Sequence, residues 1–376
     1  MHSHIRMLSM TLRHSGPVLA VPVLAWLLAV WTPDVFERIT QEDGPVEWIT
    51  FWAFAAAGAL ALTSPGLRGT PADAEKRGPL TRLFLILFGL GALFVALEEI
   101  SWGQRLIGYR PPDVFLRDNF QQELNLHNLA GAGTRGALLM GLLFAFGVAY
   151  PLLCRIPPAS RWLAALGVPT LPLTLLPGFA ALLVVYAVYP WEYTGEWVEL
   201  GAGIGFLIAA LVYREHSGGW QASAALAAVM AAGILTPLGQ ASLTDPVRRQ
   251  IAAIETAALA EDFATKRYRS RCGVHKRVYT FVTEYGGSRF EDTAFGTLEP
   301  SASDGALAGD ERDLERHRYF LDPWNLPYWI RHECSRDRQT STVYVYSFGA
   351  NRRRDSTADQ LVADDVGAWV SRPPSR

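Results

Sequence analysis

The chain has 376 residues, half of them hydrophobic and 19% charged, with 12 Trp, 3 Cys and a formal net charge of −2. These values exclude a disordered chain, a disulfide-dense miniprotein and a strongly basic nucleic-acid binder. About 30 of the Asp, Glu, Lys and Arg residues lie in residues 1–240 and about 40 in residues 241–376. The first part is too apolar for an ordinary soluble domain and the second too polar for a bilayer. The composition therefore predicts a polytopic transmembrane domain over 1–240 and an extramembrane domain over 241–376.

Seven apolar stretches precede residue 240, near 15–33, 46–64, 80–98, 129–153, 173–189, 196–213 and 220–239. A helix needs about 20 residues to cross a hydrocarbon layer of about 30 Å. No small-x-small cleavage site follows the first stretch, which predicts a retained anchor rather than a removed signal peptide. Pro169, Pro172 and Pro177 crowd the fifth, so its helix should begin near Leu175. The Lys/Arg bias of the short loops sets the orientation. Segment 1–14 and loops 65–79, 154–161 and 214–219 carry most of the arginines and lysines, whereas loop 34–43 is acidic. The expected topology has the N-terminus in the cytoplasm and, after seven crossings, the C-terminal domain in the periplasm of an inner membrane.

On that topology Glu47, Glu98, Glu99, His127 and Glu199 all fall near the outer leaflet. Ionisable groups there are costly unless paired, wet or used. The segment between the third and fourth stretches carries Glu98-Glu99-Ile100-Ser101-Trp102-Gly103-Gln104-Arg105 and Asn125-Leu126-His127-Asn128. It predicts a re-entrant or interfacial lid, with Trp102, Tyr109, Trp191 and Tyr193 as interfacial aromatics. Two readings of the charged set stay open. It could converge as a carboxylate–imidazole site that holds a divalent metal, relays protons or grips a cationic headgroup. Alternatively the carboxylates pair with Arg105 and Arg135 while the amides cap helices. The block resembles a pattern in uncharacterised bacterial polytopic membrane proteins over roughly 40–130, a resemblance that brings no activity with it.

Beyond Gly239 the pattern changes. Val247, Ile251, Ile254, Ala257, Leu259 and Phe263 recur at helical spacing, and Thr244-Asp245-Pro246 reads as the start of an amphipathic helix over 244–267. The alternating runs Arg277–Thr283 and Ser341–Phe348 read as strands. Residues 286–313 read as a long surface loop.

Three motifs follow the helix. Leu321-Asp322-Pro323-Trp324-Asn325-Leu326-Pro327-Tyr328, Val345-Tyr346-Ser347-Phe348-Gly349-Ala350-Asn351 and Asp365-Val366-Gly367-Ala368-Trp369 resemble, in order, motifs of the major pseudopilin, protein G, of type II secretion systems. The resemblance covers roughly 244–370, about a third of the chain, and implies a small α+β domain of one long helix and an antiparallel sheet. It implies Asp322-Pro323 as a turn and Trp324 and Tyr328 as buried area against the helix. It also implies a calcium loop. Asn351 stands where the family has a turn aspartate and Asp365 matches the closing one, with Asp355, Asp359 and Asp364 as nearby oxygen donors. Asn351 lacks the charge, Arg352-Arg353-Arg354 lies beside the loop, and the family's glycines are missing, so a solvated acidic loop balanced by its arginines is the other reading. The family's leader, with Gly-Phe and a glutamate five residues on, does not precede a hydrophobic helix here. Gly178-Phe179 lies mid-chain. The expectation is the fold of the soluble domain, not membership in a filament.

Outside the cytoplasmic membrane a bond between Cys272 and Cys334 is allowed; two free thiols are the alternative. Phosphate-binding, nucleophile-elbow and Cys-x-x-Cys motifs are absent. The cluster Arg267, Arg269, Arg271, Lys276 and Arg277 reads as a solvated face rather than a nucleic-acid surface. The expected protein spans the lipid bilayer and contacts secretion or envelope proteins through its periplasmic domain. The alternative is a membrane-embedded metal-dependent hydrolase of lipid-like substrates, or a transporter, built on Glu47, Glu98, Glu99, His127 and Glu199.

Overall fold

An apolar run can satisfy its backbone amides in lipid only as a helix or a closed barrel, and most of the described residues among the first 240 are helical. The computed structural model describes residues 2–41, 43–64, 80–104, 112, 115, 124–127, 129, 132–214, 220–265, 272–278, 281, 322–324, 326–337, 339–351, 353–356, 361 and 364–372. For residues 2–4, 6, 132, 241–244, 247, 262 and 265 the description is of the backbone alone. Two units emerge: Met1–Trp102 with Asn125–Leu238, and Gly103–Leu124 with Gly239–Arg376. The second unit therefore takes residues 103–124 in addition to the C-terminal part of the chain.

The helices are α1 (His2–Trp31), α2 (Pro33–Thr40), α3 (Pro45–Leu62), α4 (Thr81–Glu99), α5 (Ala132–Phe144), α6 (Tyr150–Leu153), α7 (Pro157–Leu166), α8 (Leu176–Val188), α9 (Thr194–Tyr213) and α10 (Trp220–Thr265). A π turn, Ala145–Ala149, joins α5 to α6. Six helices are long and apolar enough to cross a bilayer, within Met7–Trp31, Pro45–Leu62, Thr81–Glu99, Gly133–Leu153, Thr194–Tyr213 and Trp220–Gln240. The stretch at 173–189 forms a shorter apolar segment, Leu173–Val188. The acidic loop expected at 34–43 is largely helix α2. Pro33 sits in its first turn with Asp34 beside it, and Phe36 and Thr40, one turn apart, are buried.

Within the helical unit α9 is the central element, buried along most of its length and packed on α1, α3 and α8. Phe36 stacks on Trp197 at 5.7 Å between ring centroids, and the Trp197 indole N–H donates to Thr40 Oγ1 at 3.0 Å. Close helix approach needs small residues. A Cβ at Gly89 of α4 would lie 2.6 Å from Leu62 Cγ of α3, and one at Gly147, in the π turn, 2.1 Å from Phe179 Cγ of α8. The start of α8 is held by α1. Ser15 Oγ donates to the Thr174 carbonyl at 2.6 Å and accepts the Gly178 N–H at 3.0 Å. His14 Nδ1 and Thr174 Oγ1 lie 2.6 Å apart. The two Ser15 bonds satisfy backbone groups at the start of α8, where the first turn has no helical partners of its own.

In the second unit, α10 is one helix through Gly239 and Pro246, so the separate helix expected from Thr244 does not form. Four strands, β1 (Val274–Arg277), β2 (Trp329–Cys334), β3 (Ser341–Ser347) and β4 (Val366–Arg372), make an antiparallel sheet in that order. The expected strand at Ser341–Phe348 is β3. The one expected at Arg277–Thr283 is not formed: the strand ends at Arg277, and Val278 and Phe281 lie in helical backbone. Three residues apart, both enter the core together, which an alternating strand would forbid. The expected loop at 286–313 lies outside the described residues.

The core joins Val274, Ile330, Val343 and Val345 of the sheet to Leu259, Ala260 and Phe263 of α10. Asp322 is fully buried. Its Oδ1 accepts the Trp324 N–H at 2.9 Å and the Leu326 N–H at 2.8 Å, and its Oδ2 accepts Ser347 Oγ at 2.5 Å. The turn so fixed delivers two anchors to α10. Trp324 Nε1 donates to Asp245 Oδ1 at 3.1 Å, and the Tyr328 hydroxyl donates to the Glu255 carboxylate. Cys272, just before β1, and Cys334, at the end of β2, form a disulfide with Cα atoms 5.5 Å apart. Its reduction, or Cys272→Ser, should lower the unfolding free energy of this unit by about 2–4 kcal/mol. Denaturation followed at the β2–β3 amides by hydrogen exchange checks this; equal protection with and without reductant would contradict it.

Candidate functional site

Two acidic groupings stand out, one in each unit. The first gathers where α3 and α9 begin and α4 ends. Glu47 is buried in the first turn of α3, where a negative charge complements the helix dipole, and its carboxylate accepts the Asp43 N–H. Glu98, also buried, accepts four donors. Trp102 Nε1 bonds Oε1 at 2.6 Å. The Leu126 and His127 N–H groups bond Oε2 at 2.6 and 3.1 Å, and His127 Nδ1 lies 3.4 Å from Oε2. Asn125 Nδ2 donates to Ser101 Oγ at 3.2 Å. Glu98 thus ties the turn after α4 to the segment around His127, a structural duty for one expected site residue.

Glu99 and Glu199 stand differently. Both are half-buried. The charge of Glu99 is felt against Glu199, Glu196, Glu47 and Glu98, and that of Glu199 against His127 and Arg135. Glu196 was not singled out from the sequence, although its spacing of three from Glu199 places both on one face of α9. Arg135, expected as an ion-pair partner, is exposed and acts on Glu199; Arg105 and Tyr109 lie outside the described residues. Among the described residues, the non-glycine positions with left-handed backbone are Asp43, Ser101, Trp102, Tyr189 and Tyr193. All five lie in turns next to these carboxylates, and such residues cost about 1–3 kcal/mol each.

The second grouping lies between β3 and β4. Gly349 has φ +67°, and a Cβ there would fall 2.1 Å from the Asp364 carbonyl oxygen, so glycine lets the loop close. Asp364 Oδ2 accepts the Asn351 N–H at 2.6 Å. Asp365 Oδ2 accepts the N–H groups of Asp355 and Ser356 at 3.1 and 2.7 Å. The other oxygens, Asp364 Oδ1 and Asp365 Oδ1, are buried without a hydrogen bond. Carboxylate oxygens of Asp355, Asp364 and Asp365 come within 4.8 Å of one another, the spacing of a metal-ligand set. Among the described residues this trio alone reaches it. Burial pushes the carboxyls of Asp364 and Asp365 above the ordinary aspartate range. Asn351 is committed to the loop: its Nδ2 donates to Asp355 Oδ2 at 2.6 Å and its Oδ1 accepts the Arg353 N–H at 2.7 Å. Asp359 lies outside the described residues.

No family model, curated protein or solved structure matches this chain.

The two glutamates that close α4 separate by a sign test. Glu98→Ala strands donors that each cost about 1–3 kcal/mol when unsatisfied, so the melting temperature should fall and the Leu126 and His127 amides should exchange faster. Glu99→Gln removes a charge set against four others of the same sign and should raise the melting temperature. A drop with Glu99→Gln would mean that its carboxylate is paired.

Proposed function

We propose that the chain is a multi-pass protein of a bacterial inner membrane that presents a cation-stabilised, disulfide-closed α+β domain on the periplasmic side, where it engages secretion or envelope proteins. In this reading the segment Leu173–Val188 is a seventh crossing, which places the N-terminus in the cytoplasm and the sheet outside. The Lys/Arg bias of the loops and the Cys272–Cys334 bond, which persists in oxidising compartments, support it. So does the resemblance to the protein G domain, whose signature residues Asp322, Trp324 and Tyr328 here fasten the sheet to α10.

The observation that carries the cation is the pair of buried, unbonded oxygens on Asp364 and Asp365. Buried charged oxygens are costly when unpaired, and these converge with Asp355 in the manner of a hard cation's donor set. Calcium would take these three carboxylates together with carbonyl or water oxygens, while the backbone N–H groups already on Oδ2 hold the carboxylates in place.

Purified full-length protein should bind about one calcium in elemental analysis after dialysis, and Asp365→Asn should lose it. The pH dependence has a definite sign. Without a cation, both carboxyls titrate higher in the folded than in the unfolded state. Folding is then favoured as pH falls through their raised folded values towards the ordinary aspartate value of about 3.9. Above the folded values the destabilisation is complete. Saturating calcium should abolish that dependence, and a melting temperature equally insensitive to pH with and without calcium would overturn the assignment. A periplasm-active reporter fused after Trp369 tests the orientation independently; activity only with a cytoplasmic reporter would reverse it.

A second reading assigns the Glu99–Glu199 end of the helical unit to a shared proton or a bound cationic group, in a transporter or hydrolase. Carboxylates of one sign acting on one another, near five residues with left-handed backbone, favour it. Glu99→Gln with Glu199→Gln should abolish any proton release on addition of a cationic substrate while leaving the fold intact.

A further inference from the structure

The sheet has two faces, and the core uses only one. Cross-strand register puts His275 and Arg277 of β1, Trp329 and Arg331 of β2, Tyr344 and Tyr346 of β3 and Trp369 of β4 on the other. Their rings form a connected layer. His275 lies 5.0 Å from Trp329 and stacks on Tyr346 at 6.0 Å between centroids. Phe348, one residue beyond β3, stacks on Trp329 at 5.5 Å and lies 5.8 Å from Tyr346. Tyr344 meets Trp369 at 6.3 Å. Gly367, opposite Tyr346, keeps the layer low: a Cβ there would lie 2.7 Å from Tyr346 Cβ. Trp369 is 53% exposed, and Trp329, Tyr344 and Phe348 are half-buried. The charges of Arg331 and Arg354 bear on both His275 and Tyr346. Arg331 also pairs with Glu333, and Arg354 is exposed.

We propose that this face binds an acidic polysaccharide, with sugar rings lying on Trp329, Tyr344 and Trp369 and the anionic groups meeting Arg354 and Arg331. The electron-rich face of an aromatic ring attracts the weakly positive C–H edge of a pyranose, and a guanidinium grips a carboxylate through two hydrogen bonds. Among the described residues of this layer His275 and Trp369 are exposed and Tyr346 is buried. Charge complementarity selects an anionic occupant. The placement argues against an extended acidic peptide, which adds to a sheet through an edge strand. Trp329, Tyr344 and Tyr346 stand on β2 and β3, whose backbones are paired on both sides. The inference is independent of the calcium assignment.

The test is binding of the full-length protein, in uncharged detergent micelles, to immobilised polygalacturonate, neutral dextran and polyglutamate, with co-sedimentation on phosphatidylglycerol vesicles as a fourth arm. Polygalacturonate should be retained in a salt-sensitive way and dextran should not. Trp369→Ala and Arg354→Gln should each weaken retention about tenfold or more. Trp162→Ala, at an exposed tryptophan of α7, should leave it unchanged. If Trp369→Ala lowers the melting temperature, Arg354→Gln decides. Equal retention on dextran, tighter retention on polyglutamate, binding to the vesicles alone, no retention on any support, or indifference to both variants would each overturn the proposal.

Discussion

A bilayer interior offers no hydrogen-bond partner to a polypeptide, and this constraint orders the helical unit. It puts the outward faces of α5 and α10 in leucine, methionine and phenylalanine, as at Leu138, Met140, Phe144, Leu235 and Leu238. It also forces any break in a helix to be mended by a neighbour. The proline-rich entry to α8 is mended by Ser15, whose hydroxyl serves a carbonyl and an amide at once. A lone serine inside an apolar helix looks incidental until its partner is known. Interhelical bonds of this kind contribute about 1 kcal/mol, which is small for a bundle but enough to decide where a short helix docks.

The same constraint sends charge to helix ends, and there the chain accumulates carboxylates. Glu47 and Glu196 sit in first turns, where the helix dipole favours them. Glu98 and Glu99 close α4, where the dipole opposes them. Glu98 offsets that through four donors, two of them backbone N–H groups. Glu99 has no comparable arrangement and faces further acids instead. Left-handed backbone at Ser101 and Trp102 is what brings the Trp102 indole back onto Glu98, so strain and charge compensation at this end belong to one local structure.

The legible parts of the sequence are those where one signal dominated. Long apolar stretches produced helices, and the unbroken alternation of Ser341–Phe348 produced β3. Arg277–Thr283 misled because β-branched and aromatic residues set an alternating pattern while tertiary packing used the spacing of three between Val278 and Phe281. The start expected at Thr244 misled because a capping triplet is a preference of about 1 kcal/mol, and a helix already running from Trp220 overrides it. Strands β2 and β4 were hidden by charged and small residues, His332, Glu333 and Gly367, that a sheet accepts once its other face is covered. Glu196 was overlooked because its importance is electrostatic and depends on a turn that returns α9 to the end of α4.

The two acidic groupings differ in what each carboxylate has left to offer. In the second unit, backbone N–H groups engage Oδ2 of Asp364 and of Asp365 and leave the partner oxygens buried and unbonded. Carboxylates fixed in this way lose little freedom on meeting a cation, and a divalent ion answers both their burial and their mutual repulsion. In the helical unit, Glu98 and Glu47 have their oxygens engaged, so the capacity for chemistry falls on Glu99 and Glu199, with His127 and Arg135 as the nearest counter-charges to the latter. Two carboxylates with partial compensation suit a proton or a single positive group better than an ion that demands six oxygens. Among the described residues the two sets thus differ in backbone amides, which hold the carboxylates of Asp364 and Asp365 and are not seen on those of Glu99 and Glu199.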